Sequence, residues 1–337
     1  MQKVRLGKTE LEVSKNGFGA LPIQRISKKE AVYLLQKAFY HGINYFDTAR
    51  AYSDGEEKLG AAFSYTRDKL IISTKTAAQT AEEFWKDLDE SLLKLQTDYI
   101  DIYQFHNPAF CPKPGDETGL YDAALKAKEQ GKIRHIGITN HRLAVAEEAI
   151  ASGLYETMQF PFSYLAAEAD IRVVELCKEA DMGFIAMKGL SGGLIHNSAA
   201  AFAFMAQPQY AHVAPIWGIQ KEKELDEFLS YEVCPPVLTK ELQAEIDGDR
   251  KELSGDFCRG CGYCMPCPAG IEINNCARMS LMLRRAPQEA WLSPEWQAKM
   301  QKIDGCMHCN KCKKKCPYGL DTPALLAKNY EDYKTFL

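Results

Sequence analysis

The sequence contains no long hydrophobic run and no strong excess of charge of either sign. Its longest apolar stretch, 199–206, is far shorter than the roughly 18 residues that a membrane span requires, so we expect no membrane association. The formal net charge of −4 gives no reason to expect a nucleic-acid partner. An apolar secretory segment is also missing from the start, MQKVRLGKTE, which predicts a cytoplasmic protein.

Up to about residue 232, short apolar runs alternate with amphipathic helical stretches. This alternation predicts a parallel sheet with helices on both faces. Eight such units in about 230 residues favour a closed (β/α)8 TIM barrel over an open doubly wound sheet. No G-x-G-x-x-G follows the first strand, which argues against a Rossmann dinucleotide site. The predicted strands are 16–21, 45–48, 70–74, 99–105, 133–138, 157–162, 183–187 and 213–219, and the predicted helices are 28–41, 56–65, 81–95, 120–130, 143–152, 171–180, 199–206 and 221–231.

Eight of the twelve cysteines lie in two runs near the C-terminus. Each run repeats C-x2-C and ends in Cys-Pro, which is the ferredoxin pattern for a pair of [4Fe–4S] clusters. In that pattern three thiolates of one run hold one cluster, and the fourth crosses to the other cluster. On that rule one cluster takes Cys258, Cys261, Cys264 and Cys316, and the other takes Cys306, Cys309, Cys312 and Cys267.

Two other interpretations of these cysteines remain open. A structural zinc site also uses Cys-x2-Cys pairs, but it draws its ligands from two separated pairs rather than from one run ending in proline. Disulfides require an oxidising compartment. The remaining cysteines show no ligand spacing, and we expect ordinary buried or half-buried thiols at Cys111, Cys177, Cys234 and Cys276.

The cysteine-rich region is basic although the whole chain is acidic. From Cys258 onward, 12 Lys and Arg accompany 7 Asp and Glu, a balance of +5, which leaves −9 for the rest of the chain. Thiolate-bound clusters carry negative charge, and lysines among the ligands offset it. An anionic partner is the alternative explanation. The lysines concerned are Lys311, Lys313, Lys314 and Lys315.

Polar side chains gather at the carboxyl ends of three predicted strands, where a TIM barrel carries its chemistry. Asp47 ends the second strand and Tyr52 follows it, Lys75 ends the third strand, and His106 ends the fourth. Individually, a strand-end Lys or Asp is more often a structural ion pair, and a lone His is more often a neutral ring. Together they form a proton-transfer set. Lys75 would stabilise the Tyr52 phenolate, Asp47 would compensate Lys75, and His106 would orient a carbonyl oxygen.

At these positions the sequence resembles the aldo/keto reductase family. The similar segments are YFDTARAY, ISTK, YQFH, IRHIGITN, MQFPFS and the opening VRLGKTELEVSKNGFGAL. The resemblance implies that Tyr52 is the general acid that protonates a carbonyl oxygen while nicotinamide delivers hydride. It implies that Asn140 and Gln159 hold the nicotinamide carboxamide, with Thr139 and Ser163 as further cofactor contacts. The two-cluster tail resembles a branch of the family with a C-terminal ferredoxin-like domain.

Two stretches depart from the family's pattern. Met187 ends the seventh strand, where the family usually stacks an aromatic residue on the nicotinamide ring. After the eighth strand, 217–225 lacks the serine that accompanies a basic residue at the 2′-phosphate of NADPH, and Glu224 is unfavourable there. NADP(H), NAD(H) and FMN therefore remain candidate cofactors. Trp217 and Lys188 are also candidate cofactor contacts. The alternative role of Trp217 is core packing, and that of Lys188 is a salt bridge. The further candidate contacts are Lys188, Trp217, Gly218 and Lys221.

The sequence thus predicts a barrel over residues 1–232, a connector over 233–254 and a small, mainly helical ferredoxin-like domain over 255–337. We expect an oxidoreductase that reduces an aldehyde or ketone, or oxidises the alcohol, with NAD(P)(H). Its two [4Fe–4S] clusters would exchange electrons with a redox partner protein. One alternative is that the clusters only stabilise the tail. Another is a flavin- or ferredoxin-linked electron-transfer protein on a barrel without carbonyl chemistry.

Overall fold

The computed structural model describes residues 1–253, 257–285 and 288–337. In these ranges no helix has both the length and the apolar character needed to cross a bilayer. The chain divides into two compact units, Met1–Gly189 with Ala199–Leu242 and Leu190–Ser198 with Gln243–Leu337. The domain bounds predicted from the sequence place 190–198 in the barrel, whereas the structure groups this segment with the unit that contains the cysteine runs.

The first unit contains a closed barrel of eight parallel strands, so the predicted TIM barrel is confirmed. An antiparallel hairpin of β1 (Lys3–Arg5) and β2 (Glu12–Ser14) precedes it. The barrel strands follow in chain order, and the last strand closes onto the first. They are β3 (Gly17–Gly19), β4 (Tyr45–Asp47), β5 (Ile71–Thr76), β6 (Ile100–His106), β7 (Ile133–Thr139), β8 (Thr157–Pro161), β9 (Gly183–Met187) and β10 (Val213–Gly218).

Eight helices alternate with these strands. The first begins after Ser27, as predicted, because Ser27 Oγ accepts from the Glu30 N–H while the Glu30 carboxylate accepts from the Ser27 N–H. The sixth begins three residues before its predicted start, since Asp170 caps the Ala167 N–H. The helices are α1 (Lys28–Tyr40), α2 (Gly55–Phe63), α3 (Ala81–Leu95), α4 (Leu120–Glu129), α5 (Leu143–Ser152), α6 (Glu168–Glu179), α7 (Ser198–Met205) and α8 (Glu222–Val233).

Apolar side chains of the hairpin fill the amino-terminal part of the barrel. Val4, Leu6 and Val13 form one buried cluster with residues near the start or middle of the strands, such as Tyr45 and Ile102. Burying this surface contributes roughly 25 cal/mol per Å² to folding. The carboxyl ends of the strands are therefore the ends that remain for polar side chains.

The second unit consists of short helices joined by irregular chain, in agreement with the predicted mainly helical domain. Helix α9 (Lys240–Glu252) lies where the sequence predicts only a connector. Lys, Glu, Gln and Ala favour helix here, and Ile246 is buried. Asn329 joins two of the later helices by accepting from the Ser280 N–H at 2.8 Å. The helices are α9 (Lys240–Glu252), α10 (Ile273–Cys276), α11 (Met279–Arg285), α12 (Gln288–Trp291), α13 (Pro294–Gln301), α14 (Lys311–Lys315) and α15 (Thr322–Lys334).

Candidate active site and cysteine cavities

The strand register brings Asp47 of β4 and Lys75 of β5 together inside the barrel. Lys75 Nζ donates to Asp47 Oδ2 at 2.7 Å and to the Thr48 carbonyl at 2.6 Å. Both side chains are almost fully buried. Burial lowers the pKa of Lys75, and the Asp47 carboxylate opposes that shift. The result is a buried ion pair whose lysine is fixed at the strand ends.

Tyr52 and His106 lie beside this ion pair. Lys75 Nζ is 5.3 Å from the centre of the Tyr52 ring, and the Tyr52 and His106 rings meet edge to face with centroids 5.8 Å apart. Burial and the charge of Lys75 lower the pKa of His106 to about 3. The imidazole is therefore neutral at physiological pH. The structure thus brings all four candidate catalytic residues to one end of the barrel.

Further polar side chains surround the Asp47 carboxylate and are not predicted from the sequence as site residues. Ser73 Oγ donates to Asp47 Oδ1 at 2.7 Å. Gln104 Nε2 donates to Gln159 Oε1 at 2.9 Å and lies 3.4 Å from Asp47 Oδ1. In the described part of the chain, Gln104 Oε1 has no hydrogen-bond partner although it is buried. Because strand side chains alternate, Gln104 shares the inner face of β6 with His106, and this spacing is the signal that identifies it.

The candidate nicotinamide contacts continue around the ring of strands. Thr139 ends β7 and pairs in register with Gln159 of β8. Asn140 is fully buried, and its Nδ2 donates to the Pro108 carbonyl at 2.9 Å. Its Oδ1 accepts the two following backbone N–H groups, each at 2.9 Å. Asn140 therefore retains at most one amide hydrogen for a ligand.

Three more candidate contacts follow the strands β8 and β9. Ser163 Oγ accepts from the Leu165 N–H at 3.2 Å in the turn after β8. Met187 ends β9, with its sulfur 3.9 Å from Thr139 Oγ1. Lys188 has a φ of 60°, which is uncommon for a residue with a side chain. Met187 and Thr139 thus lie close together at the carboxyl ends of their strands.

The Trp217 indole is packed inside the barrel wall. The rings of Phe202 and Phe228 pack near it, with centroids at 5.9 and 5.0 Å and near-parallel planes. Its Nε1 donates to Asn16 Oδ1 at 2.8 Å, and 2% of the residue is exposed. A Cβ on Gly189 would lie 2.5 Å from this indole, so glycine permits the close approach. Since Trp217 is buried, stacking a cofactor on its indole would require the surrounding side chains to move.

The start of α8 carries its own acidic cap. Glu224 Oε2 accepts from the N–H groups of Gln220 and Lys221, at 2.9 and 3.1 Å. Gly218 and the Lys221 side chain are exposed nearby in the chain. Backbone N–H groups at a helix start are the donors that a phosphate group would use. In this protein the Glu224 carboxylate accepts from two N–H groups that immediately precede the helix.

In the second unit, one cavity of about 340 Å³ is lined by four cysteines. We call it the first cysteine cavity: Cys258, Cys261, Cys264 and Cys316. Arg259, Tyr318 and Leu320 complete much of its wall. Cys258 and Cys264 are buried. The set combines three thiols of one run with the last thiol of the other, which is the set that the ferredoxin pattern assigns to one cluster.

A second cavity of about 390 Å³ collects the other four ligand candidates. We call it the second cysteine cavity: Cys267, Cys306, Cys309 and Cys312. Cys264 borders it as well, and Met307 and Lys311 contribute to its wall. Cys309 is exposed. Of the four cysteines outside the two runs, Cys111, Cys177 and Cys276 are buried as expected, but Cys234 is exposed.

Arg278 connects the first cysteine cavity with the segment Leu190–Ser198 inside the second unit. Its Nη1 donates to the Gly192 carbonyl at 3.0 Å. Gly260, with a φ of 65°, lies against the guanidinium, and a Cβ there would come within 2.8 Å of Arg278 Cζ. The Gly260 N–H donates to Cys258 Sγ at 3.4 Å. Glycine at 260 therefore lets a cation approach the thiol end of Cys258.

Known families match both units. Residues 15–217, which are 203 of 337, match the aldo/keto reductase family, and residues 257–321 match a 4Fe-4S dicluster domain. A barrel with this strand-end constellation and an appended iron–sulfur unit defines a class of oxidoreductase. The protein belongs to the aldo/keto reductase family, in the branch that carries a C-terminal 4Fe-4S domain.

Individual relatives resemble the barrel. An oxidoreductase of Bacillus subtilis, YqkF, is 30% identical over 58% of this chain and 67% of its own length. L-galactose dehydrogenase of Arabidopsis thaliana is 37% identical over 40% of this chain but only 47% of its own length. An aldo-keto reductase of Klebsiella pneumoniae, solved in complex with NADPH, superposes with a TM-score of 0.60. It is 21% identical and covers 73% of this chain and 94% of its own, so it supports the fold alone.

Proposed function

We propose that this protein interconverts a carbonyl compound and its alcohol with a nicotinamide cofactor and exchanges single electrons through two [4Fe–4S] clusters. The arrangement around Lys75 carries the first part of the proposal. Its Nζ lies 2.7 Å from the Asp47 carboxylate and 5.3 Å from the centre of the Tyr52 ring. A structural ion pair alone would not explain why a tyrosine and a neutral histidine share the same strand ends.

Tyr52 is the proton donor in this proposal. A phenol with an ordinary pKa of about 10 is a poor acid at neutral pH unless a cation stabilises its phenolate. Lys75 supplies the cation, and Asp47 holds Lys75 in place. Tyr52 then gives its proton to the carbonyl oxygen during reduction and recovers it during oxidation. Neutral His106 donates its N–H to the same oxygen and orients it. Nicotinamide, when bound, supplies or accepts the hydride at carbon.

The acidic cap of α8 favours NAD(H) over NADP(H). The 2′-phosphate of NADPH would need donors after β10, and the N–H groups of Gln220 and Lys221 are already bonded to Glu224. A phosphate there would also meet the negative charge of that carboxylate. Specificity of this kind arises from an unfavourable contact with the rejected ligand.

The two cysteine cavities fit iron–sulfur clusters better than single zinc ions. In the ranges that the structure describes, no three His, Cys, Asp or Glu side chains converge closely enough to hold one metal ion. At least four thiols instead border each cavity, and a cubane needs its thiolates spread around a larger body. Such clusters supply single-electron transfer. The proposed partner is therefore a protein that donates or accepts one electron at a time.

Substitution of one phenolic oxygen tests the carbonyl chemistry. Tyr52→Phe should lower carbonyl reduction by about 10²- to 10⁴-fold while the visible spectrum of the clusters stays unchanged. Tyr65→Phe is the matched control, because Tyr65 is 99% exposed. Turnover with NADH and NADPH is measured on a panel of aldehydes and ketones under argon. Retained turnover in Tyr52→Phe would refute the assignment, and cofactor analysis of the anaerobic protein separates a nicotinamide enzyme from an FMN protein.

A further inference from the structure

We propose that the second cysteine cavity opens under a docking surface for a small acidic one-electron carrier protein. We call this docking surface the lysine face, and it consists of Met307, His308, Lys311, Lys314 and Lys315. The inference rests on the proposed electron-transfer role of the clusters and adds the route of exchange and the charge of the partner.

The chain around the second cavity is open to solvent. Every residue from Met307 to Lys311 is exposed, including the ligand candidate Cys309. Met307 is 60% exposed although it is apolar, and it lines the cavity. An exposed thioether at the edge of a charged surface provides apolar contact area of the kind enriched in protein interfaces. The second cavity thus reaches solvent directly.

The three lysines of the lysine face lie on one side of α14. Lys311, Lys314 and Lys315 have the spacing i, i+3 and i+4, which places them on the same helix face. Lys311 also lines the cavity. Across the described residues, none of the three takes part in an ion pair, whereas Lys313 binds Asp321 at 2.8 Å. From 302 to 321 the chain holds five lysines and two aspartates, so the surface is positive.

The first cysteine cavity differs in both respects. None of its four cysteines is exposed, whereas Cys309 of the second cavity is, although Cys312 there is buried. The side chains of Tyr318, Leu320 and Leu325 line the wall of the first cavity. The Arg259 guanidinium lies 4.4 Å from the centre of the Tyr318 ring, so this cation is engaged within the unit. Exchange with an external protein is therefore assigned to the second cavity.

Charge complementarity identifies the partner. A positive surface around a redox centre steers a negatively charged carrier toward productive contact and repels a basic one. Interfaces of electron carriers are small and transient, which a face of five residues suits. In the exchange, one electron leaves the reduced carrier and is accepted behind the lysine face, and no bond is made or broken.

Neutralisation of cluster charge is the competing explanation for these lysines. It predicts that removing these lysines changes the rate of cluster reduction equally for every reductant. Docking predicts a change that is confined to an acidic protein carrier and disappears at high salt. The two explanations therefore separate on the choice of carrier.

The test uses the full-length protein with its clusters loaded and a flavodoxin as the acidic carrier. Lys314→Glu/Lys315→Glu should weaken flavodoxin binding about ten-fold at low ionic strength, because rim charges control encounter and affinity there. At about 0.5 M salt the difference should fall to about two-fold or less through screening. Lys86→Glu/Lys126→Glu is the control, since both lysines are exposed on barrel helices. Reduction by a zwitterionic viologen should be equal in all three proteins.

Several results would overturn the proposal. These are unchanged flavodoxin affinity in the variant, an equal loss of rate with the viologen, or preferential binding of a basic cytochrome or of RNA. Should the variant lose its clusters, wild type still decides: its affinity for flavodoxin must fall with salt while its affinity for a basic cytochrome does not. Absence of carbonyl turnover would leave these measurements unaffected, so the two proposals fail separately.

Discussion

The two candidate sites of this protein are built in opposite ways. At the barrel mouth, Asp47 and Lys75 are joined by a direct bond of 2.7 Å and are fixed by the register of paired strands. In the second unit, eight cysteines border two cavities on short helices and irregular chain. The ion pair of the barrel site is made by protein atoms alone, whereas the cysteine sites gain their central contacts only with a ligand.

This difference separates what each site contributes to stability. A parallel barrel buries its apolar surface whether or not a cofactor is bound. A unit of short helices has less core to bury, and ligation can supply its folding free energy directly. We therefore expect the loss of a cofactor to leave the barrel folded and the loss of clusters to unfold much of the second unit.

Removal of single cysteine ligands is the strongest test of this contrast. Cys316→Ser should remove one cluster, so that about four of about eight iron atoms per chain remain. Cys309→Ser should remove the other cluster with the same loss of iron. The circular dichroism of the barrel should persist in both variants, measured beside iron content after anaerobic reconstitution.

Double variants identify which cysteines share a cluster. If Cys316 and Cys309 belong to different clusters, the double variant should hold almost no iron. Cys316→Ser with Cys261→Ser should still hold about four atoms, since these residues line the same cavity. If instead the Cys316/Cys261 variant held almost no iron and the Cys316/Cys309 variant held about four atoms, each run would bind its own cluster without crossing.

Replacement of Asp47 tests whether the barrel site depends on its internal ion pair. Asp47→Asn leaves the buried Lys75 ammonium without its counter-charge, which should cost about 3 to 5 kcal/mol of unfolding free energy. Asp181→Asn is the control, because Asp181 meets Arg5 at 2.6 Å on the surface and should cost less than about 1 kcal/mol. Urea unfolding followed by circular dichroism measures both. Equal losses of unfolding free energy in the two variants would mean that the buried ion pair stabilises the protein no more than the surface ion pair does.

His106 should make the stability of the barrel depend on pH. Its folded pKa of about 3 lies below the ordinary value of 6.5, so the unfolded chain binds an extra proton between these values. The stabilising contribution is complete above pH 6.5 and declines toward pH 3, by at most about 1.4 kcal/mol per pH unit. Part of His106 is accessible to solvent, which keeps the slope below this limit.

A histidine variant measures that slope. Urea unfolding from pH 7 to pH 4.5 should show a flatter dependence for His106→Gln than for wild type. His41→Gln, at an exposed position, should follow the wild-type curve. An unchanged slope in His106→Gln would mean that folding does not lower the pKa of the imidazole.

Local patterns predicted most of the architecture. Both ends of each barrel strand lie within two residues of the predicted bounds, because apolar runs of β-branched and aromatic residues define the strands. The four strand-end residues followed once those ends were known. The cysteines that line each cavity include the set predicted from spacing and from the crossing rule of the ferredoxin pattern, and their role as cluster ligands stays a prediction.

Contacts between distant segments could not be predicted in the same way. The rings that cover Trp217 come from α7 and α8, and no periodicity near residue 217 indicates them. The segment Leu190–Ser198, grouped with the second unit, is bonded there by Arg278, which lies 86 residues after Gly192. Both features arise from tertiary packing, which overrides what a short window of sequence contains.

The smallest predicted effect concerns Glu224, whose carboxylate accepts from the N–H groups of Gln220 and Lys221. Glu224→Gln removes the negative charge but keeps an oxygen that can accept from the N–H groups of Gln220 and Lys221. The ratio of NADPH to NADH affinity should rise about ten-fold, since relief of one charge repulsion is worth about 1.4 kcal/mol or less near a surface. Glu227→Gln, on an exposed turn of the same helix, is the control. Fluorescence titration with each nucleotide measures the ratio. If Glu224→Gln binds both nucleotides as wild type does, the carboxylate does not select the cofactor, and the barrel mouth is open to phosphate despite its internal cap.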